Sequence, residues 1–444
     1  MAALEKLQAR FAAAGETPAV IDPGGAVTTY SALLARIETL SDRFAAQGVG
    51  HGISVQLIGD FGAEDIAWLI ALWTRGAIVT PVAPTSLEVA TGFAKVGEAE
   101  FIARPREDTL MPGPGASAAA IYSELAGAPG LVIFSSGTTG TPKGAVHNVE
   151  RLLTKFDLHG KAMRTVGFLL FDHISGVDTT LYTLAAGGAL ICLPARDPAT
   201  VCAVIEAEKA EVLPTAPSFL NMLLMSGVAD DHDLSSLKII TYGGEMMPQG
   251  VLDRVTATFP EVRIIQKYGA SEIGALRSRS FGATSRWIEF ANDGADWRVV
   301  DGLLEIRTKT AMLGYLNAPS PFTEDGWYKT GDRVEVNGGR IRFLGRDGDL
   351  ISVGGQKVYP AEVEAALREV DGVLDAVVFG KPHPMLGASI FARLQVAPGE
   401  ADPSALRIRV RQGLTGKLES YKIPQRMEFT EEGLQNARFK NVRR

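Results

Sequence analysis

The amino-acid sequence predicts an α/β protein, with a large N-terminal domain of two α/β sheets plus a small β subdomain and a small α+β C-terminal domain. Apolar, strand-like runs alternate with helical patterns up to about residue 300. From about Gly302 the pattern changes to short alternating strands separated by turns, and beyond Arg346 helices and strands mix again. Alternating strands and helices are typical of sheets covered by helices, whereas short strands with turns indicate a β subdomain. We place the domain boundary at 346–348, which gives domains 1–346 and 347–444.

The first predicted elements have the order of a βαβ unit. Leu33, Ile37 and Leu40 recur at helical spacing, and Thr28 or Thr29 can cap their helix. The predicted elements are a helix at 29–45, a strand at 53–58, a helix at 63–74 and a strand at 77–82. A segment rich in Ala, Gly, Pro and Ser, 111–130, is predicted to run over the surface.

The alternation continues along the chain and then gives way to strands. In the N-terminal domain we predict helices at 149–158 and 198–209 and strands at 166–171, 189–193, 211–215, 238–242 and 262–268. In the β subdomain and beyond it we predict strands at 303–307, 333–336, 340–344, 376–379 and 391–394 and helices at 360–369 and 403–415.

Composition and charge exclude several classes of protein. The 444 residues are 46% hydrophobic and 21% charged, as in a globular protein that is not embedded in a membrane. A net charge of −7 argues against sequence-independent nucleic-acid binding, which depends on neutralising phosphates. Cys192 and Cys202 lack the spacing of zinc ligands and are expected to be reduced core residues. We see no signal peptide and no apolar run long enough to span a membrane, so we expect a cytoplasmic protein.

A loop of small residues follows a buried strand in the stretch 131–144. Four apolar residues lead into a segment that contains Ser135, Lys143 and several further serines, threonines and glycines. Backbone N–H groups and hydroxyls at this density can converge on an anion, so we interpret the loop as a phosphate cradle. It is not a Walker A loop, because Pro142 precedes the lysine. The alternative is a flexible turn between two strands.

Two other predicted strands end in glycines followed by a glutamate. The strand at 238–242 leads into Gly243-Gly244-Glu245, and the strand at 262–268 leads into Gly269-Ala270-Ser271-Glu272. Open parallel sheets bind ligands at the carboxyl ends of their strands. We therefore expect both segments to lie at a binding site.

The loop Ser-Ser-Gly-Thr-Thr-Gly-x-Pro-Lys-Gly resembles the signature of the acyl-adenylate-forming (AMP-binding) superfamily. That superfamily includes acyl- and aryl-CoA synthetases, adenylation domains of peptide synthetases and firefly luciferase. The resemblance extends over nearly the whole chain, with further motifs in the expected order. It implies that the phosphates of ATP are held by Ser135, Ser136, Gly137, Thr138, Thr139, Gly140 and Lys143.

The other motifs imply further nucleotide contacts. Tyr268-Gly269-Ala270-Ser271-Glu272 resembles the segment whose tyrosine stacks on adenine, whose hydroxyl touches the α-phosphate and whose glutamate holds Mg²⁺. Ser271 replaces the usual threonine and keeps the hydroxyl, and Glu272 is a hard oxygen ligand that suits Mg²⁺. By the same resemblance Gly243, Gly244 and Glu245 form the other face of the adenine slot, Asp332 accepts hydrogen bonds from the ribose, and Arg346 contacts ribose or phosphate.

The C-terminal domain carries the remaining motifs of the resemblance, which implies that this domain is mobile. Gly348 occupies the hinge position, where a glycine eases the backbone change but provides no side chain to hold either state. Gly354 and Gly355 belong to the loop that faces the active site during thioester formation. Lys440 is the candidate for the catalytic cation that bridges carboxylate and phosphate, a role for which Lys417, Lys422 and Arg438 compete.

The resemblance also places an acyl pocket. His173 falls where the family has an aromatic or histidine gate, although a lone histidine after a strand is often structural. Asp172 leaves open the recognition of an amino group. The other pocket residues would be Phe219, Met222, Met246, Met247, Ile273 and Gly274.

Together these features predict an AMP-forming carboxylic acid–thiol ligase that uses ATP and Mg²⁺. The substrate would be a small aromatic or a short to medium apolar acid, and the thiol would be CoA or the phosphopantetheine of an acyl carrier protein. Three alternatives stay open: a pseudo-enzyme that binds an adenylate or acyl ligand, an amino-acid adenylation enzyme, and a luciferase-like oxidation of the adenylate. The departures at Gly348 and around Lys440 motivate the first of these.

Overall fold

A computed structural model describes residues 1–84, 87–135, 142–157, 160–291, 295–396 and 403–434. Its helices are α1 Ala3–Ala14, α2 Tyr30–Ala46, α3 Ala63–Thr74, α4 Leu87–Val96, α5 Val149–Leu153, α6 Ile174–Ala185, α7 Pro198–Glu208, α8 Pro217–Ser226, α9 Gln249–Thr258, α10 Pro360–Leu367 and α11 Pro403–Leu414. Within the described ranges, no helix is long and apolar enough to cross a membrane.

The strands of the N-terminal part are β1 Pro18–Ile21, β2 Val27–Thr29, β3 Ser54–Ile58, β4 Ile78–Val82, β5 Phe101–Arg104, β6 Thr109–Pro112, β7 Gly130–Ser135, β8 Lys143–Asn148, β9 Arg164–Val166, β10 Ala189–Ile191, β11 Val212–Thr215, β12 Ile239–Tyr242 and β13 Arg263–Gln266. Those that follow are β14 Tyr268–Ala270, β15 Gly274–Leu276, β16 Ser278–Ser280, β17 Ile288–Phe290, β18 Ala295–Val300, β19 Leu303–Thr308, β20 Gly314–Tyr315, β21 Tyr328–Asn337, β22 Arg340–Arg346, β23 Ile351–Val353, β24 Gln356–Val358, β25 Val373–His383, β26 Gly387–Val396 and β27 Arg426–Thr430.

The predicted fold class is confirmed. In the described parts of the chain, two seven-stranded sheets have the orders β20-β8-β7-β4-β3-β5-β6 and β13-β12-β11-β9-β10-β1-β2. A six-stranded sheet of β16–β19, β21 and β22 forms the β subdomain, and β23–β27 form a sheet after residue 346. This last sheet, with α10 and α11, encloses an apolar core of its own. The boundary at 346–348 stays a prediction.

Most predicted elements lie within a few residues of the observed ones, and Thr29 is the cap of α2, since its side chain accepts from the N–H of Ala32. The predicted strand at 166–171 is wrong, because β9 ends at Val166. Phe168 packs into one core, against Phe219, and Phe171 packs into another, against Phe61. This apolar run therefore connects two cores instead of extending a strand.

Two further predictions need correction. The predicted strand at 262–268 is two elements, because β13 ends at Gln266 and Tyr268 begins the hairpin β14–β15. The surface segment 111–130 contains a 3₁₀ turn over 120–125 in which Tyr122 and Leu125 are buried. The hydroxyl of Tyr122 donates to the carbonyl of Gly97, which holds this turn against the end of α4.

The two large sheets are joined by a bidentate ion pair. Nη1 and Nη2 of Arg196, which follows β10, donate to the two carboxylate oxygens of Asp60, which follows β3, at 2.9 and 2.8 Å. Nε of the same guanidinium donates to the carbonyl of Phe168 at 2.6 Å. Planar, bidentate geometry makes such a pair stronger than an ordinary surface ion pair. It fixes the loop before α6 against the other sheet.

The C-terminal domain contacts the large domain at α8. The side-chain amide of Asn221 donates to the carbonyl of Leu374 at 3.0 Å, and its amide oxygen accepts from Arg254 of α9 at 2.7 Å. The contact to the C-terminal domain thus uses a backbone carbonyl, at the start of β25.

A buried carboxyl, Asp65, lies in the first turn of α3 with a side chain close to Gly59. A Cβ at Gly59 would lie 2.0 Å from Oδ1 of Asp65, so the glycine leaves the space that the carboxyl fills. Burial raises the pKa of Asp65 to about 7, while Arg106 opposes the shift and Asp60 and Asp22 add to it. At neutral pH the folded state therefore carries a carboxyl that resists ionisation.

We predict that Asp65→Asn stabilises the protein at pH 8 but not at pH 4. The pKa of an aspartate in the unfolded chain is about 4, so the wild type loses stability as the pH rises from about 4 to 7, whereas an asparagine has no such penalty. Urea denaturation should show a gain of roughly 2–4 kcal/mol at pH 8 that disappears at pH 4. An effect that is the same at both pH values would contradict this prediction. Asp157→Asn, which removes an exposed carboxylate, is the control.

Candidate active site

Neighbouring parallel strands bring two of the predicted nucleotide segments together. β12 pairs with β13 in register, with Tyr242 opposite Gln266, and the N–H of Lys267 donates to the carbonyl of Tyr242 at 2.7 Å. A Cβ at Gly243 would lie 2.9 Å from the carbonyl oxygen of Lys267. The absence of a side chain at Gly243 thus lets the backbone before Tyr268 approach closely.

Tyr268, Asp332 and Arg346 form one polar cluster. The hydroxyl of Tyr268 donates to Oδ2 of Asp332 at 2.6 Å, and Nε of Arg346 donates to Oδ1 at 3.2 Å. Asp332 and Arg346 face each other across β21 and β22. Burial raises the pKa of Asp332, and Arg346 and Tyr268 work against that rise. A carboxylate with these two donors still has lone pairs for further hydrogen bonds.

The ring of Tyr268 is stacked within the protein. Phe343 of β22 lies 4.6 Å from it, centroid to centroid, at an interplanar angle of 15°. Phe290 packs at a tilt, at 5.7 Å. A base stacked on Tyr268, as the resemblance implies, would have to use the face opposite Phe343.

Glu272 is linked to the exit of the phosphate loop through Tyr315. The hydroxyl of Tyr315 donates to Oε1 of Glu272, and Nζ of Lys143 lies 5.4 Å from the centre of the Tyr315 ring. Burial and the Glu272 carboxylate raise the pKa of Tyr315. Three elements, β8, β14–β15 and β20, thus bring a cation, a carboxylate and a phenol together.

The two arms of the phosphate loop are described, and its tip is not. Ser135 pairs with Lys143 across the antiparallel strands β7 and β8. The side chain of Asn317 accepts from the N–H of Gly144 at 3.1 Å and donates to the carbonyl of Pro142 at 2.9 Å, which anchors the returning arm. The predicted phosphate contacts at Ser136, Gly137, Thr138, Thr139 and Gly140 lie outside the described residues.

Glu245 has a structural partner. Its carboxylate accepts from the N–H of Ser218, in the first turn of α8, at 3.2 Å. Burial raises the pKa of Glu245 to about 7, with Arg368 of the C-terminal domain opposing the shift. The observed contact of Glu245 is therefore to a helix N-terminus. Gly244, with φ of +79°, makes the turn between β12 and this residue.

The predicted acyl-pocket residues are not gathered in one cluster. Phe219 and Met247 are buried in the core that Met222 packs against, and Met246 is half-buried. Ile273 belongs to the core of the β subdomain. His173 is the residue before α6, and Gly274 begins β15 with φ of +72°.

Buried polar groups that the sequence did not single out lie beside Ser271 and Gly274. Nε2 of His147 donates to the carbonyl of Ser271 at 2.6 Å, and burial lowers the pKa of His147 to about 4, so this histidine is neutral at pH 7. Lys155 pairs with Asp178 of α6. Both His147 and Lys155 contact backbone carbonyls of the segment that contains Glu272.

Local backbone geometry explains the glycines predicted at the hinge, Gly348, and on the thiol side, Gly354 and Gly355. Gly348 lies in a 3₁₀ turn, with open space where a side chain would be. Gly354 and Gly355, with φ of +57° and +85°, form the two-residue turn between β23 and β24. Both residues of this type of hairpin turn require positive φ, which favours glycine.

The candidate cation Lys440 lies outside the described residues, as does Arg438. Its other competitors are already paired, since Lys417 contacts Glu369 and Lys422 contacts both Glu362 and Glu419. These pairs weaken the case for Lys417 and Lys422.

Glu272 fits a magnesium–nucleotide site better than a metal site made of protein ligands alone. Over the described ranges, no group of three or more His, Cys, Asp or Glu side chains could hold a metal. Mg²⁺ commonly takes one or two carboxylates and completes its shell with phosphates and water. A single buried carboxylate near a phosphate loop has the donor chemistry that such an ion needs.

Tyr315, Phe343, His147, Lys155 and Asp178 were not found by reading the sequence. None of them belongs to a motif, and each meets its partner through distant strands or helices. A polar residue within an apolar pattern, as His147 is in β8, is the one signal that could have indicated a buried role.

Two sequence profiles match the chain. The profile of the family described as "AMP-binding enzyme" matches residues 114–315, and that of the "AMP-binding enzyme C-terminal domain" matches residues 362–440. Together they cover more than half of the chain.

Characterised proteins of similar length also match. An indoleacetate–CoA ligase of Aromatoleum aromaticum is 26% identical over an alignment of 461 positions, which covers 91% of this chain and 89% of that enzyme. A 3-hydroxybenzoate–CoA ligase of Aromatoleum sp. (strain CIB) is 26% identical and covers 94% of this chain and 90% of its own. The crystal structure of the anthranilate CoA ligase AuaEII with anthranoyl-AMP superposes with a TM-score of 0.84 at 20% identity, over 99% of this chain and 95% of that one. This structural match shows a shared fold.

We predict that Tyr268→Phe lowers stability while leaving the ring stack on Phe343 in place. The substitution removes the 2.6 Å hydrogen bond to Asp332, whose side chain is 14% exposed. Loss of a hydrogen bond to a charged group costs about 1.5–3 kcal/mol, so the urea midpoint should fall accordingly. Tyr182→Phe, at a side chain that is 51% exposed, is the matched control and should change little. Equal effects of the two substitutions would show that the Tyr268 hydroxyl does not stabilise the fold.

Proposed function

The chain belongs to the AMP-binding enzyme family, and we propose that it is an AMP-forming ligase that joins an aromatic carboxylic acid to a thiol. The carboxylate attacks the α-phosphorus of ATP to give an acyl-adenylate and pyrophosphate. The thiol then attacks the acyl carbon and releases AMP. ATP is a substrate, and CoA is the first-choice thiol, with the phosphopantetheine of a carrier protein as the second.

The observation that carries the proposal is that two sets of polar side chains lie near each other in the large domain, close enough for Arg346 to oppose the rise in the pKa of Tyr315. Tyr268, Asp332 and Arg346 offer an aromatic ring, a carboxylate and a guanidinium of the kind that a nucleoside needs. Lys143 and Glu272, joined by Tyr315, offer the cation and the hard oxygen ligand that a polyphosphate and its metal need. Ser271, which lies between Tyr268 and Glu272 in the chain, carries the hydroxyl that the resemblance assigns to the α-phosphate.

The chemistry assigns a simple role to each group. When bound, Mg²⁺ would neutralise phosphate charge, and Glu272 is the residue that would hold it. Asp332 would accept from the ribose hydroxyls, and Lys143 would face the phosphates from the first position of β8. Lys440, at the last residue that the C-terminal family profile matches, would neutralise the charge that develops between carboxylate and α-phosphate.

We propose an aromatic acid because two matching relatives are named for indoleacetate and 3-hydroxybenzoate. Because the sequence identity to these relatives is only 26%, the identity of the acid depends on the pocket residues of this chain. A short or medium apolar acid is the next candidate. Asp172, which is buried just before His173, keeps recognition of an amino acid as an alternative.

The test of the proposed function is a panel of acids assayed by ATP–pyrophosphate exchange. Aromatic acids should support exchange with MgATP, and addition of CoA should then convert the same acids to thioesters. Amino acids and fatty acids serve as comparison sets, and a holo carrier protein replaces CoA in a parallel series. Absence of exchange with every acid would overturn the ligase proposal and favour an adenylate-binding pseudo-enzyme. Oxygen uptake with any adenylate would favour the luciferase-like alternative.

We predict that Lys440→Ala lowers pyrophosphate exchange by roughly a hundredfold or more, because it removes the cation assigned to the adenylation step. Thioester formation from supplied acyl-adenylate should be nearly unchanged, since this half-reaction does not form the bond to phosphorus. Lys417→Ala, at a lysine of the same domain that pairs with Glu369, is the control. Equal loss of both half-reactions in Lys440→Ala would contradict the assigned role.

A further inference from the structure

An ion pair that the nucleotide chemistry does not use lies beside Gly274, one of the residues predicted to line the acyl pocket. Lys155, in the 3₁₀ turn after α5, pairs with Asp178 of α6, and the two side chains are 17% and 14% exposed. Nζ of Lys155 is also 3.5 Å from the carbonyl oxygen of Ala275. The lysine and the aspartate are therefore held largely out of water between α6 and β15, where burial lowers the pKa of Lys155 to about 7.

Gly274 provides the space for this pair. A Cβ at this position would lie 3.3 Å from Nζ of Lys155, and the φ of +72° is itself unfavourable for other residues. A larger residue at 274 would crowd the ammonium. Gly274 thus lies directly against the ammonium group of Lys155.

Asp178 lies on the face of α6 that is not packed into the apolar core. Val177 and Leu181 are buried in that core, whereas Ser175, Asp178 and Thr179 are only partly buried. The helix begins directly after His173, the predicted gate of the pocket. The ion pair is therefore set at the edge of the core, on the side where α6 faces β15.

The charges restrict what can lie against them. An apolar group that covers an ion pair removes its remaining hydration without forming a hydrogen bond in its place, which costs free energy. A hydrogen-bond donor on the ligand compensates for the lost water by bonding to the carboxylate. Sites built to bond a substrate hydroxyl discriminate strongly against analogues that lack it.

We propose that the Lys155–Asp178 pair forms the polar end of the acyl pocket and selects aromatic acids whose ring carries a hydrogen-bond donor, a hydroxyl or an amino group. Asp178 accepts from the ring substituent, and Lys155 holds Asp178 in place. The pair is a specificity-determining element and takes no part in the reaction at phosphorus. This inference rests on the proposed ligase function.

The experiment compares acids of similar size that differ in the ring substituent. The purified full-length protein is assayed by pyrophosphate exchange with benzoate and with its 3- and 4-hydroxy, amino and methyl derivatives. The wild type should show a kcat/KM at least tenfold higher for a hydroxy or amino acid than for the methyl acid of the same substitution pattern. The hydroxy and amino arms separate the two kinds of donor.

The first variant replaces the charged acceptor by an amide oxygen, which accepts more weakly, and keeps the shape of the side chain. Asp178→Asn should reduce the preference for the hydroxy acid over the methyl acid at least tenfold, mainly through KM. Asp157→Asn, whose carboxylate pairs with Lys6 on the surface, is the matched control and should leave the preference unchanged. If the single variant does not fold, the double variant Lys155→Met with Asp178→Leu replaces both charges by apolar groups, an exchange that proteins often tolerate. It should favour the methyl acid.

The outcomes separate this inference from the proposed function. No exchange with any acid overturns the ligase function itself. Exchange in which the wild type treats hydroxy, amino and methyl acids alike overturns only the role of the ion pair. A drop in kcat/KM that is equal for all acids in Asp178→Asn does the same, because it would mean that the pair only stabilises the fold.

Discussion

The hydrogen bond from Tyr268 to Asp332 joins the two parts of the large domain on which the nucleotide residues depend. Tyr268 begins the hairpin β14–β15, directly after β13 of a large sheet, whereas Asp332 lies in β21 of the β subdomain, so the 2.6 Å contact crosses from one sheet to another. The stack of Phe343 on the same ring adds an apolar contact to the polar one. Because Arg346 bonds to Asp332 as well, the end of β22, and with it the start of the C-terminal domain, is tied to this cluster.

The sequence predicted local features well and long-range contacts poorly. The helix at 63–74 is observed at those residues because its apolar pattern and flanking glycines are local signals. The paired glycine segments after β12 and β13 were expected at one sheet edge, and β12 and β13 are indeed neighbours. The prediction of a strand at 166–171 was wrong because its two phenylalanines pack into two different apolar cores. Tyr315 meets Glu272 across 43 positions of the chain, and no local pattern encodes such a contact.

Polar contacts connect the C-terminal domain to the large domain at α8 and Glu245. Asn221 hydrogen-bonds to the carbonyl of Leu374 and to Arg254. The charge of Arg368, in the C-terminal domain, opposes the rise in the pKa of Glu245. Small, polar interfaces between domains permit relative motion more readily than large apolar ones. A bond to a backbone carbonyl can also be exchanged for water at little cost. These features suit a domain that is expected to change its position between two half-reactions.

Both carboxylates at the centre of the site are bonded to tyrosine hydroxyls. Tyr315 donates to Glu272 and Tyr268 donates to Asp332. A neutral hydroxyl satisfies a buried carboxylate without cancelling its charge, so the negative charge stays available to a cation or to ribose hydroxyls. Burial and the adjacent carboxylates raise the pKa of both phenols, which keeps them protonated and able to donate. The fold thereby holds the carboxylates in fixed positions before any ligand arrives, and a fixed polar site needs little reorganisation when charge develops during the reaction.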